Sequence, residues 1–122
     1  MMESMISILI FSFGVLALFG MQSVALKSMS QSNYRATAVY MISQLVASAQ
    51  GDIKHLNDYQ TTSDKVIAWK AEVTAALPSA NVTVVSVEET LHGNGTLSVT
   101  VSWLAPGDSD RHQHTVSTYV SY

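Results

Sequence analysis

The sequence predicts an α+β protein in which a long N-terminal helix packs against a short second helix and a three- to four-stranded antiparallel sheet. Apolar residues recur every three or four positions through the first half of the chain, which is the helical period. In the last third they alternate with polar residues, which is the strand period. The chain has 122 residues, and this length allows one small domain beyond an apolar N-terminal segment.

The N-terminus is the most apolar part of the chain. Glu3 is the only charged residue before Lys27, and about 20 mostly apolar residues are enough to cross a bilayer as a helix. A carboxylate at the start of such a segment is costly in lipid and marks a functional position. We therefore predict that residues 1–26 form a transmembrane half-helix and that residues 27–122 form a globular domain, which includes the second half of the same helix.

A cleavable signal peptide is the alternative interpretation, because Ser23-Val24-Ala25 fits a small-x-small cleavage site. Against it, the residues before the apolar run carry Glu3 and no basic side chain. The topology is a separate question. Lys27 and Arg35 follow the segment, so the positive-inside rule would place the domain in the cytoplasm, unless a basic leader has been removed from the N-terminus.

The helical pattern continues beyond the membrane segment, with no Pro or Gly from Lys27 to Gln50. One apolar stripe runs along this part of the helix and comprises Tyr34, Ala38, Met41 and Leu45, with Val39, Ile42 and Val46 beside it. Polar residues occupy the other faces, as expected for a helix that packs on a domain with one side. Gly51 is a suitable C-terminal stop.

A second, shorter helix follows a segment without periodicity, residues 51–62, which we predict to be a loop. Thr62 or Ser63 can cap the helix, and Pro78 ends it. Its apolar stripe comprises Val66, Trp69, Val73 and Leu77. Because these spacings of 3 and 4 place the four side chains on one face, we expect them in the core.

Three strands are predicted after the second helix. They are Asn81–Leu91, Leu97–Trp103 and Val116–Tyr122. A strong turn signal at His92–Gly95 separates the first two, and the polar residues 106–111 separate the last two. Short connections and strict alternation indicate an antiparallel meander with one buried face.

The composition argues against several functions. Without cysteine the chain has no disulfides, no thiolate zinc site and no cysteine nucleophile, and its scattered basic residues give no support for nucleic-acid binding. His112 and His114 share one side of a strand, but no third metal ligand accompanies them. No nucleophile elbow or phosphate loop is present. We therefore expect no catalytic residue, no cofactor and no metal, and we assign Trp69 and Trp103 to the core.

Two motifs resemble a known family. The apolar helix that begins at Glu3 and continues through Gly14, Gly20 and Gln22 resembles the N-terminus of type IV pilins, and more narrowly of PilV-type minor pilins. The later run is similar to the Trp…Leu-Pro…Val-x-Val-x-Trp pattern of the same family, and reads Trp69…Leu77-Pro78 followed by Val99-Thr-Val-Ser-Trp103. The GspI-type pseudopilins of type II secretion systems share this architecture and are a close alternative.

The resemblance implies a pilin-like fold and a non-catalytic role as a minor pilin that helps to initiate type IV pilus assembly in a tip complex. It implies other minor pilins and the major pilin as partners, and an inner-membrane location facing the periplasm before entry into the fibre at the cell surface. It also implies a prepilin peptidase that removes a basic leader, so that the sequence would begin inside the mature protein or at a misplaced start.

By the same resemblance, Glu3 would neutralise the N-terminal amine of an adjacent subunit, and Gly14, Gly20 and Gln22 would belong to the assembly helix. A membrane-anchored adhesin or binding module, with a ligand at residues 106–114, is the alternative from a different functional class.

Overall fold

The architecture is α+β, as predicted. The computed structural model describes residues 1–89 and 94–121. Its elements are helix α1 (Met2–Gly51), a 3₁₀ segment (Ile53–Tyr59), helix α2 (Asp64–Ala76), and strands β1 (Asn81–Glu89), β2 (Asn94–Trp103) and β3 (His112–Val120). The predicted turn at His92–Gly95 and the predicted strand ends at Leu91 and Tyr122 lie wholly or partly outside the described residues. The chain divides into two compact units, Met1–Asn33 and Tyr34–Tyr122.

The sheet has three antiparallel strands in the order β1-β2-β3. Its register places Val84 opposite Val99 and Val99 opposite Val116, so one row of valines crosses the face that is turned to the core. Strand β3 begins at His112, which lies opposite Trp103, four residues before the apolar alternation that starts at Val116. His112 and His114 lie on one side of this strand, as predicted.

The core of the second unit joins both helices to the sheet. Four side chains of α1 are buried in it: Ala38, Ile42, Leu45 and Ala49. Tyr34, Met41 and Val46 pack at its edge, so the predicted stripe is largely correct. Val39 is the exception and lies 39% exposed, because its position is turned about 100° from that of Ala38 around the helix axis.

Helix α2 packs with the face that its periodicity predicts. Val66, Trp69, Val73 and Leu77 are all buried, and Trp69 Nε1 donates a hydrogen bond to the Met41 carbonyl oxygen at 3.2 Å. Trp103 is also buried, at 2% exposure, as predicted.

Ser63 occupies the N-cap position of α2, but its side chain makes no capping hydrogen bond. Its Oγ donates to the Asp58 carbonyl oxygen instead, so the predicted cap position is correct and the predicted cap bond is absent. The helix ends at Ala76, and the Leu77 amide donates to the Val73 carbonyl oxygen at 2.9 Å. Pro78 follows at once, and its preference for an extended preceding residue fits this end.

The segment predicted as a plain loop is an integral part of the core. Ile53–Tyr59 forms 3₁₀ turns that are interrupted by non-helical backbone at His55. Leu56 is fully buried and Tyr59 is 5% exposed, and the Tyr59 hydroxyl donates to the Ser48 carbonyl oxygen at 3.2 Å. The loop prediction was wrong because two short turns with a break between them show no regular apolar period.

Candidate functional site

The N-terminal unit is an apolar helix whose side chains are exposed. Every residue from Met1 to Gly14 and from Leu16 to Ser30 is exposed, and Val15 is half-buried. By length and composition this part of α1 is able to cross a membrane, and none of its most apolar window is buried within the chain. Contiguous apolar surface of this extent marks a site of contact with a membrane or with other proteins. The surface of this helix is therefore the candidate functional site.

Two serine hydroxyls of the apolar helix form hydrogen bonds within the helix. Ser7 Oγ donates to the Glu3 carbonyl oxygen at 2.9 Å, and Ser12 Oγ donates to the Ile8 carbonyl oxygen at 2.8 Å. A hydroxyl that bonds to the preceding turn of its own helix avoids the cost of an unsatisfied polar group in an apolar surrounding. These serines are thus compatible with burial in lipid or between helices.

Glu3 lies exposed in the first turn of α1. The partial positive charge of the helix N-terminus favours a carboxylate there, and no other charged side chain occurs before Lys27. The residue predicted as the assembly carboxylate therefore lies at the N-terminus of the helix.

The other predicted assembly residues are distributed around the helix. Gly14 follows Glu3 by about three helical turns, so the two share one face about 16 Å apart along the axis. Gly20 and Gln22 are turned about 100° from that face in opposite directions. Helix geometry therefore brings Glu3 and Gly14 onto one line and leaves Gly20 and Gln22 on the flanks.

Neither glycine is required by packing within the described chain. A Cβ placed at Gly14 or at Gly20 meets no atom within 4 Å outside the adjoining helical backbone. Glycine in a helix interior costs about 1 kcal/mol relative to alanine, and the described contacts of this chain offset none of that cost. In membranes, glycine in a helix permits the close approach of another helix.

A charged cluster lies in the globular unit, where the 3₁₀ segment meets α2. Asp52 accepts hydrogen bonds from Lys65 Nζ at 2.6 Å and pairs with His55 Nδ1 at 2.8 Å. The Lys65 ammonium, followed by His55, holds the pKa of the Asp52 carboxyl below its usual range, and Asp52 in turn raises the pKa of Lys65. These groups are exposed, so the cluster ties two surface elements together at modest strength. No pattern in the sequence predicted this contact.

His112, one of the two histidines considered as metal ligands, contacts the loop that joins β2 to β3. His112 Nε2 lies 2.9 Å from an Asp108 carboxylate oxygen, and the His112 ring lies 6.1 Å from that of Trp103, centroid to centroid. Within residues 1–89 and 94–121, no group of three or more His, Cys, Asp or Glu side chains is placed to hold a metal ion. The pair His112 and Asp108 secures the connection between β2 and β3.

Helices α1 and α2 also border an open groove of about 350 Å³. Its floor is formed by Leu45 and Trp69, and its charged groups are Lys65 and Glu72. Lys65 is held by Asp52. The groove thus combines an apolar floor with one basic and one acidic side chain.

Comparison with known proteins finds no matching family model, no matching curated protein and no matching solved structure. The features that bear on function are accordingly those of the chain itself, namely its exposed apolar helix, the carboxylate at the start of that helix and the α+β unit that follows.

Proposed function

We propose that this protein is a minor pilin of a type IV pilus, a non-catalytic subunit that helps to initiate pilus assembly in a tip complex. The observation that carries the proposal is the N-terminal helix, which exposes apolar side chains on all sides and has one carboxylate in its first turn. The pilin-like sequence motifs that run from Glu3 to Gln22 and from Trp69 to Trp103 support the same class. The partners are other minor pilins and the major pilin.

The mechanism is an exchange of one apolar surrounding for another. In the inner membrane, with the globular unit in the periplasm, lipid covers the exposed side chains of the apolar helix. During assembly other pilin helices take the place of lipid, so the hydrophobic side chains stay out of water throughout. Burial of apolar area contributes roughly 25 cal/mol per Å², and this contribution is nearly the same in the two surroundings. The direction of transfer must therefore be set by polar contacts and by close packing.

Glu3 supplies the polar contact in this mechanism. An isolated carboxylate is costly in an apolar surrounding, and pairing with a cation removes much of the cost. A positively charged group on a neighbouring subunit, such as its N-terminal amine, is the partner that the proposal requires. Because that pair forms at one axial offset between the two helices, Glu3 sets the register of assembly.

The variant Glu3→Gln tests this role in the native host. It keeps the size of the side chain and removes the charge, so we expect normal membrane insertion and normal abundance with reduced entry into pili. Glu72→Gln is the matched control, since Glu72 is an exposed carboxylate on α2. Piliation and fibre incorporation of the Glu3 variant at the level of the Glu72 variant would contradict the proposed role.

Function in a type II secretion system as a minor pseudopilin uses the same helix and the same carboxylate. The two uses differ in their partner proteins. Loss of protein secretion in a chain-deleted strain with unchanged piliation would assign the protein to that alternative.

A further inference from the structure

The two outer strands of the sheet differ in whether other residues of the chain form hydrogen bonds to their outer edge. On β1, Thr61 acts in place of a neighbouring strand: its Oγ1 donates to the Val84 carbonyl oxygen at 2.7 Å and accepts from the Val84 amide at 2.8 Å. The Thr61 amide also approaches the Val84 carbonyl oxygen, at 3.3 Å. The middle of the β1 edge is therefore closed by the chain itself.

Strand β3 has no proline and no permanently charged side chain along its edge. In the described part of the chain it pairs with β2 alone, and its nine residues, His112–Val120, include no Pro, Lys, Arg, Asp or Glu. Natural edge strands are normally shortened, bulged, or marked with proline or charge, because an open edge invites another strand. A long uncharged edge of this kind predicts pairing with a further strand.

Incomplete burial of β3 is an independent sign of a missing neighbour. On β2 every core-facing residue from Gly95 to Trp103 is buried, whereas on β3 the core-facing residues from His112 to Thr118 are only half-buried. Val116 packs at the border of the core. The core-facing side of the sheet is therefore only partly covered along β3, its last strand.

We propose that the β3 edge binds the β3 edge of a second copy of this chain, antiparallel and about a twofold axis at Val116. This register is the one that pairs all nine residues, and it joins two three-stranded sheets into one of six strands. Directly opposed residues in an antiparallel pair share a face, so the half-buried side chains of both copies lie together on the core side. Thr115 then lies opposite Ser117 of the second copy, and His114 lies opposite Thr118. This register places no two like charges opposite each other.

The contact is small, and its size determines where it forms. Stable interfaces bury about 800 Å² on each partner, and one added strand covers less than that. The dimer is thus weak at micromolar concentration in solution. Two copies held in one membrane by their N-terminal helices meet at a much higher effective concentration, which favours the contact. This inference does not depend on the role in pilus assembly.

Disulfide cross-linking of the full chain in membrane vesicles tests the proposal, because the natural chain contains no cysteine. In the variant Val116→Cys the two thiols face each other across the axis, at a Cα separation of about 4.5–5.5 Å that suits a disulfide. Val85→Cys is the matched control. It is the same substitution on β1 of the same sheet, at a position that is 50% exposed and beside the edge that Thr61 closes.

We expect V116C to cross-link at least about ten times faster than V85C, because opposed thiols have a much higher effective concentration than thiols that meet by random collision. Adding Ser117→Lys to V116C should abolish the difference, since it places a charge on the open edge, whereas adding Thr83→Lys on the outer face of β1 should not. Equal cross-linking of V116C and V85C would overturn the proposal.

A second measurement avoids the core-facing position. Chains carrying Thr115→Cys are mixed with chains carrying Ser117→Cys, both exposed on the outer face. The register places these two residues opposite each other, while identical residues stand diagonally at about 7–8 Å. The mixture should cross-link faster than either variant alone. If it does not, the register is wrong, even where V116C has impaired folding.

Discussion

Substitution of Gly14 by leucine separates contacts within the chain from contacts between chains. Outside the adjoining helical backbone, no described atom lies within 4 Å of a Cβ at this position, so a leucine side chain clashes with nothing in the subunit. Leucine also favours a helix more than glycine does, by somewhat less than about 1 kcal/mol. The isolated subunit should therefore keep its helix and its membrane insertion, with stability unchanged or slightly higher.

The same substitution should weaken assembly if another helix approaches closely at Gly14. Forcing extra methylene groups into a packed contact costs about 1–3 kcal/mol, which corresponds to roughly 5- to 150-fold weaker association. The assay compares the amount of the subunit in sheared fibres with the amount in the membrane, by quantitative mass spectrometry, for Gly14→Leu and for the natural chain.

Ser23→Leu provides the matched control for this experiment. It places the same side chain about 2.5 turns further along the helix, on the opposite face from Gly14. We expect little change in the fibre-to-membrane ratio for Ser23→Leu and a clear fall for Gly14→Leu. Equal ratios for the two variants would refute the reasoning that Gly14 is kept for a contact between helices.

Three further predictions concern the globular unit and are measured by thermal unfolding of the full chain in detergent micelles, followed by near-ultraviolet circular dichroism. Leu56→Ala should lower the free energy of unfolding by about 2–5 kcal/mol because Leu56 is fully buried. A loss of unfolding free energy no larger than that for an exposed residue would show that the 3₁₀ segment is not part of the core. Thr61→Val should cost about 1–3 kcal/mol because it leaves the Val84 amide without its partner and removes one of the two donors to the Val84 carbonyl oxygen, and an unchanged melting temperature would contradict this. Asp52 has a lowered pKa beside Lys65, so its stabilisation is present above the ordinary value of 3.8 and is lost as the pH falls through the lower value of the folded state. Asp52→Asn should accordingly remove part of the acid-induced loss of stability, and an acid profile identical to that of the natural chain would exclude this contribution.

Periodicity predicted the elements that have one apolar face. The spacing of Val66, Trp69, Val73 and Leu77 predicted α2 and its buried side, and the alternation from Leu97 to Trp103 predicted β2. In each case a single regular stripe meets a single core, so the local pattern determines the element.

Other features depend on contacts that no local pattern encodes. The 3₁₀ segment places Leu56 and Tyr59 in the core without a regular period, and Thr61 reaches β1 across 23 positions of sequence. Asp52 and Lys65 pair between two surface elements. Spacing rules describe one helix or one strand at a time, and these three features each arise where two elements meet.

The sequence predicted where the candidate site lies in the chain, but it did not predict what the site contacts. The unbroken apolar run after Glu3 placed the helix and its carboxylate, and helix geometry alone aligns Glu3 with Gly14. Under the proposed function the partners of these residues belong to other molecules, which a single sequence does not describe.

Recovery of the full-length tagged protein from sheared surface fibres tests the central claim most directly. The fibre and membrane fractions of the native host are purified through the tag, and the accompanying proteins are identified by mass spectrometry. The account predicts that the chain is found in the fibre fraction together with other minor pilins and the major pilin. Recovery from the membrane fraction alone, with secretion components or with no pilin, would contradict it.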